Sequence, residues 1–365
     1  MEENIKKFGS LIMRLINKKN LSRSEAYEAF RQVLLNEQTE IQQGAFLAAL
    51  KAKGETAEEI AGSWEAIYEL DTAKVILEIN SPLVENCGTG MDDIKTFNIS
   101  TAASVIAAAA GIIMAKHGAR AITSVCGTID IMEAIGLDVD CDLHVVKKSI
   151  EEAGIGIFNG MSPKVHPNAL GRILSRISFG TSLNIAASLA NPAMPQFGVR
   201  GVYARKMVNP VARAMKEIGY KRAIVIHGLD GDGKSGMDEA STLGMTIVSE
   251  LKENGIIKEY SLSPEEIGIM RTSRESLAPL GDLKSEASRF VGLLSGKVDG
   301  ACSDIVCLNA AFLLYMMDIA PGIKDGFYQA KEIIKSGKAI NKLKSWVKTQ
   351  QSIAGNGISK LNSLL

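Results

Sequence analysis

Apolar residues recur with helical spacing through residues 1–70, a stretch without proline. In SEAYEAFRQVLL, Ala26, Phe30 and Leu34 fall on one face, and Ser22 or Ser24 can cap the helix by accepting a bond from a free backbone N–H. Thr39 opens a second run, EIQQGAFLAALKAKG, which Gly54 ends, and Thr56 opens a third, AEEIAGSWEAIYEL. With the amphipathic amino terminus, MEENIKKFGSLIMRL, they predict a compact unit of three or four short helices. Their apolar faces exceed what so small a unit can bury, which suits a partner subunit and an intramolecular contact equally well.

The period changes near Asp71. Short apolar runs now alternate with helical patterns: PLVENC, a helix from Asn98 to Gly111, IIMAKHG, IMEAIGL, then the helix NPVARAMKEIG before RAIVIHG, and a strand KEYSL after TIVSELKENG. Such alternation predicts an α/β fold with a mostly parallel central sheet covered by helices. The segment PKVHP at 163–167 and the helix-like NALGRILSRI interrupt the alternation and read as the chain crossing back toward the helical unit. The expected division is a helical domain of residues 1–75 plus about 167–190, and a larger α/β domain of 76–166 and 191–365. The tail, AINKLKSWVKTQQSIAGNGISKLNSLL, is studded with lysine and reads as a solvated helix that docks loosely.

The length of 365 residues suits two domains. Hydrophobic residues make up 46% and charged residues 22%, the composition of an ordinary globular protein with a large core. Lysine plus arginine and aspartate plus glutamate each number 41, so the basic excess expected of a nucleic-acid or anionic-membrane binder is missing. The amino terminus lacks the apolar segment of a signal peptide. Two uncharged stretches fail as membrane spans: Thr96 to Ala115 is only weakly apolar, and Ile177 to Val199 holds Pro192, Pro195, Asn184 and Asn191. The five cysteines, Cys87, Cys126, Cys141, Cys302 and Cys307, form no CxxC pair and no zinc spacing, as expected of thiols in a reducing compartment. The reading is a cytoplasmic protein.

Three clusters carry chemistry. In Cys87-Gly-Thr-Gly-Met-Asp-Asp-Ile-Lys-Thr-Phe-Asn-Ile-Ser-Thr101, an apolar strand runs into Gly88 and Gly90, which allow close backbone approach to an anion. Asn98, Ser100 and Thr101 stand where a helix opens, with free N–H groups and a dipole that favour phosphate. A plain glycine turn before a capped helix fits the Gly-Thr-Gly alone equally well, and neither nucleotide-binding glycine pattern is present. Lys116-His117-Gly118-Ala119-Arg120 sets two cations beyond a buried strand, suited to phosphate or carboxylate. Gly236-Met237-Asp238-Glu239, at an expected strand-to-helix turn, sets adjacent carboxylates that can hold Mg²⁺ together with a substrate's phosphates, although an exposed Asp-Glu pair is commonplace and taken alone reads as ordinary surface. His144 and His227 read as structural.

GTGxD with TFNIST, KHGxR and GMDE, in this order and spacing, resemble the anthranilate phosphoribosyltransferases. The resemblance covers nearly the whole chain, from AFLAALKAKGETAEEIAG to LNAAFLLYM near residue 308 and the closing run at residues 330–343. It implies that an aromatic amine, anthranilate in tryptophan biosynthesis, attacks C1 of the ribose of phosphoribosyl pyrophosphate and expels pyrophosphate. It also implies a homodimer formed by the helical domain, with small molecules and neither nucleic acid nor membrane as ligands. Carried over residue by residue, Gly88, Thr89, Gly90, Asp92, Thr96, Asn98, Ser100, Thr101 and Lys116 would bind the donor. Asp238 and Glu239, with Ser100, would hold Mg²⁺, and His117, His166 and Arg176 would line the acceptor site. No residue is assigned as acid or base, because an aromatic amine is already neutral near pH 7.

Departures from the family pattern gather near the acceptor. Met91 stands for a glycine beside the pyrophosphate, Ala119 for an asparagine expected to contact the acceptor, and Ser124-Val125-Cys126-Gly127-Thr128-Ile129-Asp130 lacks a lysine and a serine of the pattern. Ala187-Ser188-Leu189-Ala190-Asn191-Pro192 replaces G-P-L-x-N-P, and residues 229–236 form a longer link than usual. A relative with a different acceptor therefore stays open. So does a pyrimidine-nucleoside phosphorylase of the same fold, because the run from Cys126 to Glu133 looks like that branch. A non-catalytic relative that binds a ligand or nucleic acid is the third reading, and the zero net charge and the acid pair weigh against it.

Overall fold

The computed structural model describes residues 2–120, 126–177, 179–352 and 355–365. Four helices open the chain: α1 (Glu2–Ile16), α2 (Arg23–Leu34), α3 (Glu40–Lys53) and α4 (Ala57–Asp71). Ser22 and Thr56 cap α2 and α4 in reciprocal boxes with Glu25 and Glu59, Thr39 caps α3, and Gly54 ends it. Glu59, almost fully buried, also accepts from Leu21 N–H (2.9 Å) and pairs with buried Lys53 (2.8 Å), locking the three connections together.

Eight strands follow among the described residues: β1 (Leu83–Gly88), β2 (Ile113–Gly118), β3 (Ile155–Asn159), β4 (Phe197–Gly201), β5 (Arg222–Leu229), β6 (Gly236–Met237), β7 (Thr246–Leu251) and β8 (Ile257–Leu262). The order is β3-β2-β1-β4-β5-β7-β8, with β6 beside β5. Pairs among the first five are parallel, whereas β6 and β7 on β5, and β8 on β7, are antiparallel. The run TIVSELKENGIIKEYSL is thus a hairpin, turned at Gly255 with φ +77°. The chain builds outward from β1 in one direction and returns at β4 in the other. Ligands of open α/β sheets bind beyond the carboxyl ends of the strands at such a reversal.

Helices α5 (Ile99–Ala109), α6 (Thr128–Ala134) and α7 (Leu143–Ala153) accompany the first strands; α8 (Leu170–Ile177), α9 (Ser182–Leu189) and α10 (Val208–Glu217) flank β4. Then come α11 (Leu283–Leu294), α12 (Ala301–Met316), α13 (Ile323–Lys335), α14 (Lys338–Thr349) and α15 (Gly357–Asn362). Strand alternation sorts the core. Val84, Met114, Val199, Ile224 and Ile226 pack with α5 and α12, while Ala223 and Val225 pack with α10 and the amino-terminal helices. That second core also holds Leu170, Ile173, Leu183 and Leu189, so α8 and α9 join the helical unit. The Asp71 carboxylate ties them there by accepting the N–H groups of Asn168 (2.6 Å), Ala169 (3.0 Å) and Leu170 (2.7 Å), and Trp64 Nε1 donates to Leu189 O (3.0 Å).

Two sequence expectations need correction. The tail is no loose helix, since Leu343, Trp346, Val347 and Leu361 are buried in the main core. Buried Gln350 completes the docking by pairing with the backbone of Ile157 on edge strand β3 (3.1 and 2.9 Å). Nor do Asp238 and Glu239 open a helix. They stand in a bend between β6 and β7, where buried Asn309 bonds Ala240 N–H and C=O (2.8 and 3.0 Å) and fixes the chain outside any helix.

Candidate functional site

A cavity of about 350 Å³ lies over the carboxyl ends of β1 and β2, roofed by α9 and the end of α8. Its floor is the turn after β1. The N–H of Gly90 donates to Asp238 Oδ2 (2.7 Å), and the N–H of Ser100, in the first turn of α5, donates to Glu239 Oε1 (3.1 Å). A Cβ at Gly88 would fall on the Asp238 carboxylate, and one at Gly201 on the Asp238 carbonyl. Only glycine at these two strand ends lets the acid pair sit so close to the turn.

Burial, with the nearby charge of Asp92, pushes the Asp238 carboxyl up to about 7. Burial and Asp238 hold Glu239 well above the usual carboxylate range. Two buried acids thus meet backbone amides and each other, and burial likewise pulls the Lys116 ammonium below its ordinary value. Among the described residues no three His, Cys, Asp or Glu side chains converge as a closed metal cage.

The remaining expected donor-site residues divide into wall and backing. Thr89, Asp92, Thr96 and Asn98 line the cavity. Lys116 lines it too, yet is nearly fully buried, its Nζ donating to Asn86 O (2.6 Å) and Ser104 Oγ (3.3 Å). Thr101 is fully buried and not part of the lining; its hydroxyl meets that of Thr128 (3.3 Å), which in turn donates to Asn98 Oδ1 (3.2 Å). Thr101 backs the wall because the third residue of α5 turns inward to the core. Arg120 lines the cavity but is held by Asp130 (3.1 Å), Glu133 (2.7 Å) and Asp140 (3.5 Å), so it is no free anion receptor.

His117 and His166 come together at the acceptor end, with their Nε2 atoms 3.3 Å apart. His166 Nδ1 lies 2.6 Å from Asp71 O and, facing a carbonyl, must carry the proton there. Its Nε2 is then left as an acceptor facing His117 Nε2. Arg176 does not join them. It is 59% exposed on the outer side of α8, where it pairs with Glu40, and α8 turns Leu174 toward the cavity instead. Ala119, Cys126 and Ser188 line the cavity, as does Met91; Ser124 and Val125 lie outside the described residues. Sequence reading missed Met161, Leu174, Phe179, Leu183 and Asn184, which line it as well, beside Ala187 of the altered G-P-L-x-N-P run. Leu183 and Ala187, four apart on α9, carried a helical signal, but nothing in the chain said which face would be a cavity wall.

The paired histidines make a pH prediction. Burial lowers the pKa of both, with His166 adding to the effect on His117. In the unfolded chain they protonate near pH 6.5, so the folded state binds fewer protons and loses stability as pH falls below that value. The loss is at most about 1.4 kcal/mol per pH unit for each histidine. The raised carboxyls of Asp238 and Glu239 act in the opposite sense. The effect is therefore read as the difference between wild type and His117→Gln/His166→Gln in urea unfolding at pH 7.5 and 5.5. A difference that does not change with pH would contradict it.

Comparison with known proteins agrees with this architecture. Residues 80–340 match the model of the glycosyl transferase family a/b domain, and residues 9–70 that of its helical bundle domain. The chain is 39% identical over 340 residues to an anthranilate phosphoribosyltransferase of Methanococcoides burtonii, covering 92% of each, and 38% identical over 349 residues to one of Dehalococcoides mccartyi, covering 95% of this chain and 98% of the relative. It superposes on the anthranilate phosphoribosyltransferase structure from Thermus thermophilus with a TM-score of 0.82 at 32% identity, covering 93% and 98% of the two chains. The Saccharomyces cerevisiae enzyme in complex with PRPP and Mg shares the fold, with a TM-score of 0.79 at 23% identity and coverage of 94% and 98%.

Proposed function

Because the chain belongs to the anthranilate phosphoribosyltransferase family, we propose that it moves the phosphoribosyl group of phosphoribosyl pyrophosphate to an aromatic amine, anthranilate, with Mg²⁺ as cofactor. The observation that carries this reading is the acid pair held against the β1–α5 turn by Gly90 and Ser100 N–H groups. The donor set fits magnesium. Two buried carboxylates with raised pKa want a cation, and Mg²⁺ binds through one or two carboxylates while sharing its remaining positions with substrate phosphates and water. Held by Asp238 and Glu239, with Ser100 adjacent, it would neutralise charge on the departing pyrophosphate.

The chain's own residues supply the rest. The turn of Gly88 to Asp92, with Thr96, Asn98 and Lys116, would orient the donor's phosphates and ribose. As the leaving group departs, C1 becomes cation-like, so catalysis consists of alignment and charge stabilisation more than proton transfer. The roof of α8 and α9 and the His117–His166 pair would hold the amine over C1 and exclude water. Arg176 would serve the acceptor only if its pair with Glu40 gave way as the cleft closes.

A homodimer through the helical unit is part of the same reading, supported by half-exposed or more exposed Met13, Ile16 and Ile41 on α1 and α3. Five cysteines with neither a CxxC pair nor zinc spacing support a reducing compartment, the cytoplasm, and among the described residues no helix is long and apolar enough to cross a membrane. The test is pyrophosphate release from phosphoribosyl pyrophosphate. We expect it to require both anthranilate and Mg²⁺; release independent of either, or none with a panel of aromatic amines, would refute the reading.

A further inference from the structure

Met91 has φ +68°, directly after Gly90 at φ +65°. A side chain enters this left-handed region at a cost, and such strain persists only where the surroundings hold it. Glycine would meet the same turn without strain, so what methionine adds is its side chain. That side chain ends on Gly180, where a Cβ would overlap the Met91 sulfur. The contact joins the donor turn after β1 to the segment between α8 and α9, across the mouth of the cavity. Both residues line the cavity, together with Leu174, Phe179 and Leu183.

We propose that Met91 is a specificity-determining residue for the acceptor: its thioether, seated in the notch left by Gly180, walls the acceptor end so that the site takes a single flat aromatic ring and refuses a larger one. This rests on the phosphoribosyl-transfer reading above. Methionine suits the task, being apolar, adaptable and able to lay a polarizable sulfur against a ring. Leu174, Phe179 and Leu183 complete an apolar slot, while the polar contacts of the turn, through Gly90 to Asp238, stay on the donor side.

The test compares wild type, Met91→Gly, Gly180→Ala and the double variant in pyrophosphate release, with anthranilate and with the two-ring analogue 3-amino-2-naphthoate. Circular dichroism and thermal unfolding check that each variant is folded. Met91→Gly raises the kcat/KM for the naphthoate relative to anthranilate by about tenfold or more, a change within the range that altered pocket volume produces. The change in acceptor preference exceeds any change in the KM for phosphoribosyl pyrophosphate, because the turn meets the donor through its backbone and the Met91 side chain reaches Gly180 on the acceptor roof. Gly180→Ala displaces Met91 and lowers kcat/KM for anthranilate, and Met91→Gly added to it restores the loss. An unchanged preference in folded Met91→Gly, a change confined to the donor's KM, or a Gly180→Ala loss that persists without Met91 overturns the proposal. Wild type that neither binds phosphoribosyl pyrophosphate nor turns over any amine defeats the underlying reading, and this inference with it. Wild type active on anthranilate with any of the three contrary results defeats the Met91 proposal alone.

Discussion

Asp238→Ala/Glu239→Ala is expected to lose pyrophosphate release by about 10³-fold, the scale on which removing preorganised charge stabilisation acts. The loss would not come from unfolding. Both carboxyls have raised pKa in the folded protein, so they bind protons more tightly there than in the unfolded chain. Their contribution to stability therefore declines as pH rises from the ordinary carboxylate range through about 7 for Asp238. At neutral pH the pair is a cost to the metal-free fold, and alanine leaves that fold as stable or more so. Such a site is kept for what it does, at the expense of stability. The measurement is steady-state release alongside thermal unfolding without metal. Activity within tenfold of wild type, or a clearly lower melting temperature, would contradict the account.

The largest effect on stability is expected from Glu85→Ala. Glu85 and Arg200 lie on neighbouring strands β1 and β4, each about 1% exposed, and pair at 2.9 Å on the face turned toward the helical unit. Glu85 also accepts from Asn191 Nδ2 (3.1 Å) and Tyr220 Oη (3.2 Å), so one carboxylate gathers three donors. Arg200 is less well served: among the described residues its Nε and Nη1 have no hydrogen-bond partner. Removing the carboxylate leaves a buried guanidinium without its counter-charge, which costs about 3–5 kcal/mol, whereas replacing both residues by apolar ones of similar volume costs far less. Urea unfolding of Glu85→Ala and of Glu85→Leu/Arg200→Met checks this. A loss below about 1 kcal/mol in the single variant, or equal losses in the two, would contradict an uncompensated buried charge as the cause.

Local rules carried much of the fold. Ser22, Thr39 and Thr56 cap helices as hydroxyls before amphipathic runs do, because those bonds form between residues three apart. The change of period near Asp71 marks the start of the sheet for the same reason. What failed depended on distant partners. Asp238 and Glu239 looked like a helix start until Asn309, on α12, fixed the chain at Ala240. The tail looked solvated because its lysines stand out in the sequence, while Trp346 and Gln350 dock against α5, α7 and the edge of β3. No local pattern announces either contact.

The candidate site divides the same way. Gly88, Gly90, Ser100, Asp238 and Glu239 are legible as types, since close approach needs glycine and a divalent cation needs oxygen; the structure bonds Gly90 to Asp238 and Ser100 to Glu239, and packs Gly88 against the Asp238 carboxylate. By resemblance the spacing from His166 points Arg176 to the acceptor, but the facing of α8 puts it at the surface with Glu40. The hydroxyl of Thr101 suits a donor contact in the sequence, but the inward face of α5 makes it backing for Thr128. Met91 was visible as a departure from the family pattern; its left-handed backbone and its seat on Gly180 were not.

The central claim is that one donor molecule is gripped from both sides, by the turn of residues 88–101 and by the acid pair. A crystal structure with phosphoribosyl pyrophosphate and Mg²⁺ tests it most directly. The account predicts the diphosphate on the amides of that turn, with the cation bridging it to Asp238 and Glu239. A donor bound elsewhere, or touching only one of the two, would contradict it.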